Sequence, residues 1–197
     1  CLKQVSGDRV RHELERIFDE AQPELPLARA DDLVLYQTLV STLEWAPELN
    51  RAAQAIREAG HETTPLLYLA LLSVPLAKGN SEALVARLNA PAPWAEVIRD
   101  THTLRVRLLS LATEKILPSA VYARLSGLTT ESILAWSALA PDQTIRGLLL
   151  SFLMKWQSVK PHLTGDDLLA LGVPQGPQIG ELLQELLNAR LDDVVVT

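Results

Sequence analysis

Positive charge, cysteine and aromatic residues are all scarce in this chain, and each shortage narrows what it can be. Cys1 is its one cysteine, so no disulfide framework and no cysteine-rich metal site can be built, and a reducing, cytoplasmic setting is expected. Lysine and arginine number 18 against 24 aspartate and glutamate, for a formal net charge of −6. Adhesion to nucleic acid through overall charge is thereby excluded, and any such site must be a local patch. Aromatic residues make up 5%, which argues against a sheet and leaves few platforms for base stacking. The longest apolar run, Pro65 to Ala77, is shorter than the ~20 residues a membrane-spanning helix needs, and no secretory signal is present. Cys1 leads into a capped helix and not into the flexible polar tether of a lipidated protein.

Several catalytic signatures are missing too. No strand pattern is followed by paired carboxylates that could hold two metal ions. There is no phosphate-binding glycine loop, no Gly-x-Ser-x-Gly and no His-Glu-x-x-His. The histidines, His12, His61, His102 and His162, are scattered and none is assigned a role.

What the chain does have is leucine and alanine in helical periodicity. Hydrophobic residues are 48% of its 197 residues, enough for a sizeable core, and the expected fold is all-α, an irregular array of about ten short to medium helices ending in a helical hairpin. Ser6 caps a first helix with Val10, Leu14, Ile17 and Phe18 on its apolar face, and Arg9 and Glu13 one turn apart on its polar face. Gln22 to Pro26 reads as a break. Helices are then predicted over Ala30–Trp45 with Asp31 as cap, Leu49–Ala59, Pro65–Lys78 at the centre of the core, Ser81–Leu88 capped by Asn80, and Trp94–Lys115. Further helices are predicted over Pro118–Leu125, Glu131–Leu139 capped by Thr129, and Asp142–Lys160. Trp45, Trp94, Trp136 and Trp156 lie in or beside apolar stripes and are expected in the core. From Arg99 to Arg124, five basic residues (Arg99, Arg105, Arg107, Lys115, Arg124) face Asp100 and Glu114, a net +3 that makes this segment a candidate phosphate-facing surface.

The tail is the most specific stretch. Thr164 is positioned to cap a short helix carrying Asp166 and Asp167 in its first turn, and Gly172 supplies the left-handed residue that ends it. Val173 to Pro177 cannot continue a helix. Pro177 then opens a second one, with Ile179, Leu182, Leu183, Leu186 and Leu187 on one face and Gly180 allowing close approach of another backbone. The free amides around Gly176, Gln178 and Ile179 could receive a phosphate, although turn glycines alone account for a hairpin.

Leu163, Thr164, Gly165, Asp167, Leu168, Gly172, Pro174, Gly176, Pro177 and Gly180 together resemble the tail of the bacterial-type tRNA nucleotidyltransferases, the CCA-adding enzyme and poly(A) polymerase family. Ser6, Asp8, Arg9, Val10, Glu13, Leu14, Arg16 and Ile17 are similar to the last motif of that family's neck. Leu117, Pro118, Ser119, Leu125, Gly127 and Leu128 resemble its body. One departure stands out: the family carries a Leu-Gly pair where this chain has Leu33-Val34, and no proline follows until Pro47, which predicts a longer, straighter second helix. The resemblance implies an end of neck at 1–25, a body at 26–160 and a tail at 161–197.

The family's catalytic head, with its Gly-Ser pair and Asp-x-Asp, and its nucleotide-selecting neck motifs have no counterpart here. The resemblance therefore implies a part that holds tRNA or another structured RNA without extending it, while Mg2+ and nucleoside triphosphates belong to the absent head and no cofactor is expected in this chain. On that reading, RNA contacts are expected at the amides around Gly176, Gln178 and Ile179, with Lys155, Lys160 and Arg190 as nearby cations and Arg105 and Arg107 in the body. Arg9 and Glu13 would support the neck. The chain begins without methionine, as a processed or excised piece would, and its expected partners are tRNA and the missing head and neck, with no membrane. The competing reading is a helical protein-interaction or dimerisation module, a homodimer included, without RNA.

Overall fold

Runs of leucine and alanine interrupted by proline and glycine fold here into helices alone. The computed structural model describes residues 5–111, 116–140 and 142–194. Among these there are eleven α-helices and no strand: α1 (Gly7–Phe18), α2 (Glu24–Asp32), α3 (Pro47–Glu58), α4 (Pro65–Ser73), α5 (Lys78–Arg87), α6 (Ala92–Leu111), α7 (Pro118–Leu125), α8 (Thr130–Leu139), α9 (Gln143–Ser151), α10 (Gly165–Ala170) and α11 (Pro177–Leu191). A 3-10 turn spans Tyr36–Thr38, and a π-helical turn, Phe152–Trp156, extends α9.

The core has two parts sharing two helices. The larger is centred on α4, in which every residue from Leu67 to Ser73 is buried, against α1, α3, the first half of α6, and Leu134 and Ala135 of α8. Phe18 stacks on Tyr68 with ring centroids 6.1 Å apart and meets Trp94 at 5.9 Å. The smaller part gathers Leu104 and Leu108 of α6, Val121 and Leu125 of α7, Ile133, Ile145, Leu149 and Phe152. Trp45 and Trp94 are buried in the first part; Trp136 and Trp156 pack half-buried against the second. All four serve packing, as expected.

Helix ends follow cap chemistry where the capping side chain is free. Ser6, Thr64, Asp142 and Thr164 each accept an amide hydrogen bond from the first turn of the helix they precede. Thr129 precedes α8, but its hydroxyl pairs with that of Ser132 at 2.7 Å, and its amide donates to Asp100 at 2.8 Å.

The predicted Ala30–Trp45 helix does not form. α2 starts earlier, at Glu24, because Pro26 lies in its first turn, where backbone N–H groups have no helical acceptor to lose. It stops at Asp32 because Val34 has φ 57°, which no helix accommodates. Asp31, the expected cap, instead accepts from the Trp45 amide at 2.9 Å, folding residues 33–45 back over the core. There Tyr36 is buried, and its phenol donates to the Leu27 carbonyl at 3.1 Å; burial, with Asp31 nearby, pushes the phenol's pKa up.

Other boundaries move for similar reasons. α4 ends at Ser73 and not at Lys78, since Pro75 cannot continue it. α5 begins at Lys78, with Asn80 inside it, its side chain donating to Thr42 at 2.7 Å. α9 gives way at Phe152 to the π-helical turn, closed by the Gln157 amide on the Phe152 carbonyl at 2.8 Å, so it does not reach Lys160. Lys115, the predicted end of α6, lies outside the described residues.

Candidate nucleic-acid interface

The tail hairpin is built as its sequence dictates. Thr164 and Asp167 form a reciprocal capping box: the Asp167 amide donates to the Thr164 hydroxyl at 3.3 Å, while the Thr164 amide and hydroxyl donate to the Asp167 carboxylate at 2.8 and 2.7 Å. Those donated bonds lower the Asp167 pKa. Gly172, at φ 90°, terminates α10, with its amide and that of Val173 donating to Leu169 and Leu168. The close approach expected at Gly180 does not occur, since it has open space around it, and a Cβ at Gly165 would make only ordinary contact with the Ile179 side chain at 3.5 Å.

Gly176 precedes α11 in an extended conformation and is exposed, as is Gln178. The Ile179 amide is turned back onto the Gly176 carbonyl at 3.2 Å. Of the three positions expected to offer amides, Ile179 therefore already has a partner.

The basic residues of the body are held by backbone oxygens. Arg105 donates to the Pro75 and Leu76 carbonyls at 3.2 and 3.4 Å. Arg107 donates to the Arg124 carbonyl, and Arg124 to that of Ala120 at 2.9 Å. Arg99 forms a two-pronged pair with Glu82, both bonds 2.9 Å. The described cations of this segment, Arg99, Arg105 and Arg107 on α6 and Arg124 on α7, are thus each engaged by protein oxygens, while Lys115 lies outside the described residues.

Near the tail the arrangement differs. From Gln143 to Gly165 there is no aspartate or glutamate, while Arg146, Lys155 and Lys160 are present. Lys155 is exposed on the π-helical turn and Lys160 on the connection to α10. Arg190, in the last turn of α11, donates to the Lys160 carbonyl at 2.5 Å, so its guanidinium sits against the Lys160 backbone. A local positive region in an acidic protein, free of competing carboxylates in its own segment, is suited to phosphate.

Arg9 is exposed on α1. Glu13 pairs with Arg16 at 3.2 Å and Arg11 with Glu15 at 2.7 Å, and no Arg9–Glu13 ion pair forms among the described residues. Arg9 and Glu13 instead flank an apolar groove of about 380 Å³, lined by Val5, Ile17, Leu35 and Leu39. No group of three metal-ligating side chains, and no helix long and apolar enough to cross a membrane, occurs among the described residues.

This all-helical fold is shared with part of the chain of solved CCA-adding enzymes. The Thermotoga maritima CCA-adding enzyme complexed with tRNA superposes on the whole chain with a TM-score of 0.74 at 21% identity, and the match spans 50% of that enzyme's chain. A CCA-adding enzyme solved in apo form matches the whole chain with a TM-score of 0.73 at 22% identity, over 48% of its own chain. Among curated proteins, the A-adding tRNA nucleotidyltransferase of Geobacter sulfurreducens is 25% identical over 212 residues, covering 100% of this chain and 24% of its own length. That of Halalkalibacterium halodurans is 23% identical over 186 residues, covering 93% of this chain and 42% of its own. No family model matches. The chain spans less than half the length of these curated relatives, and the resemblance to the tRNA nucleotidyltransferase family is met by sequence and fold alike.

Proposed function

We propose that this chain is the non-catalytic, tRNA-binding part of a tRNA nucleotidyltransferase-like protein, and that it positions the acceptor and T-arm so that a head domain can add nucleotides at the 3′ end. The observation that carries the reading is the superposition of the whole chain on an enzyme solved with tRNA. The acid-free segment from Gln143 to Gly165, with Arg190 beside it, supplies the charge such a role needs. In this reading Lys155, Lys160 and Arg190 meet backbone phosphates, with the exposed turn at Gly176 and Gln178 beyond them, Ile179 holding that turn, and Arg105 and Arg107 acting at the body. Recognition rests on A-form shape, since the tryptophans are committed to packing. Mg2+ and nucleoside triphosphates would be bound by the head and not by this chain.

Lys155→Ala combined with Lys160→Ala tests the patch. Removing one lysine–phosphate pairing should reduce the slope of log K against log salt by about 0.7 to 0.9, so the double variant should flatten it by roughly 1.5. An unchanged affinity and slope would remove these lysines from the interface.

One observation favours a protein-interaction role in addition. The apolar groove flanked by Arg9 and Glu13 suits a helix, either the preceding part of a neck or a second copy of the chain. A dimer by sedimentation that dissociates on Leu39→Glu would favour the second copy.

A further inference from the structure

The cleft between α7 and α11 has no role in the reading above. Ser119 and Tyr122 of α7, and Ser126 just past its end, face Gln184 and Asn188 of α11 across an open volume of about 520 Å³. Among the described residues, no lysine or arginine lines it. Ser119 is held by Asp192, its amide donating at 2.8 Å and its hydroxyl at 2.6 Å, so a carboxylate stands at that end. A phosphate entering here would meet no cation and one anion. An apolar ligand would strip water from hydroxyl and carboxamide groups without replacing their hydrogen bonds.

A neutral ligand rich in hydroxyls fits both constraints. Gln184 donates its amide nitrogen to the Asn188 oxygen at 3.0 Å, which leaves the Gln184 oxygen to accept and the Asn188 nitrogen to donate. The Ser126 and Tyr122 hydroxyls can do either. Cations lie on the same two helices but outside the cleft, Arg124 on α7 and Arg190 on α11. A-form RNA presents this combination, a shallow minor groove displaying ribose 2′-hydroxyls between charged backbones.

We infer that the α7–α11 cleft reads ribose 2′-hydroxyls in the minor groove of an RNA duplex, a reading that rests on the tRNA-binding function proposed above. The cleft then discriminates RNA from DNA, and the lysines supply affinity without that discrimination. The test uses the full chain and a labelled acceptor–T-arm minihelix in which short blocks of one strand carry 2′-deoxyribose. One block should weaken binding about three- to tenfold for each hydrogen bond removed. That penalty should vanish in the Gln184→Ala, Asn188→Ala double variant while the salt slope stays as in the parent. Ser126→Ala, which removes one hydroxyl, gives the same reading at smaller size if the double variant melts early. Absence of any block penalty, or its persistence in the variants, overturns the inference and leaves tRNA binding intact. Failure of the unmodified minihelix and of tRNA to bind the parent chain overturns both.

Discussion

Val34 holds a backbone conformation that its own side chain opposes. Its φ of 57° is the left-handed region, costly for a β-branched residue by roughly 1–2 kcal/mol, and it falls where the resembled family carries glycine. The side chain is 58% exposed, so its removal forfeits little packing. Val34→Gly should therefore raise stability by about 0.5–1 kcal/mol after the entropy cost of glycine is counted, read as a higher urea midpoint. Gly7 is the opposite case. A Cβ there would stand 2.4 Å from the Arg87 carbonyl oxygen, a rigid backbone group, so Gly7→Ala should cost about 1–3 kcal/mol. Gly180→Ala, in open space within α11, should gain about 0.5–1 kcal/mol; equal effects at the two glycines would refute the packing argument. Asp167 carries a pH prediction. Its pKa is lowered by the bonds it accepts from Thr164, so it contributes stability above the ordinary aspartate pKa and loses it as pH falls through the lowered value. Amide exchange in α10 should quicken on the acid side, and Asp167→Asn should remove that dependence.

Elements were legible where a helix begins on a free hydroxyl, as at Ser6 and Thr164, or ends on glycine, as at Gly172. They were misread where a residue with local capping chemistry was engaged over a distance. Asp31 looks like a cap and binds the Trp45 amide; Asn80 looks like one and binds Thr42. Pro26 looks like a breaker but falls in a first turn, where proline is harmless. Of the apolar spacing Leu33, Tyr36, Leu39, Val40 and Leu43, the structure buries Tyr36, Val40 and Leu43 but leaves Leu33 exposed, and periodicity alone cannot show that Val34 interrupts the helix. The site follows the same pattern. The hairpin and its cap could be read directly, whereas the seating of Asp192 on Ser119 joins residues far apart in sequence. That pairing fixes the end of α11 to the start of α7. Asp192→Ala should loosen this docking by about 1 kcal/mol, speeding amide exchange through α11 while the exchange of α4 and α8 stays unchanged.

Across the whole molecule, two core regions share α6 and α8. The tail adds Leu168, Leu187 and Leu191 as separate buried positions. Charge is arranged to match. Acidic residues dominate overall, but the segment joining the second core region to the tail has none between Gln143 and Gly165, and the proposed tRNA contact rests on that local charge. The most direct measurement of that account is the binding of the full chain to a labelled tRNA and to an unrelated RNA hairpin, by fluorescence anisotropy at two salt concentrations. Preference for tRNA, with affinity falling as salt rises, is the predicted result. Equal binding of both RNAs, or no binding at low salt, would contradict it.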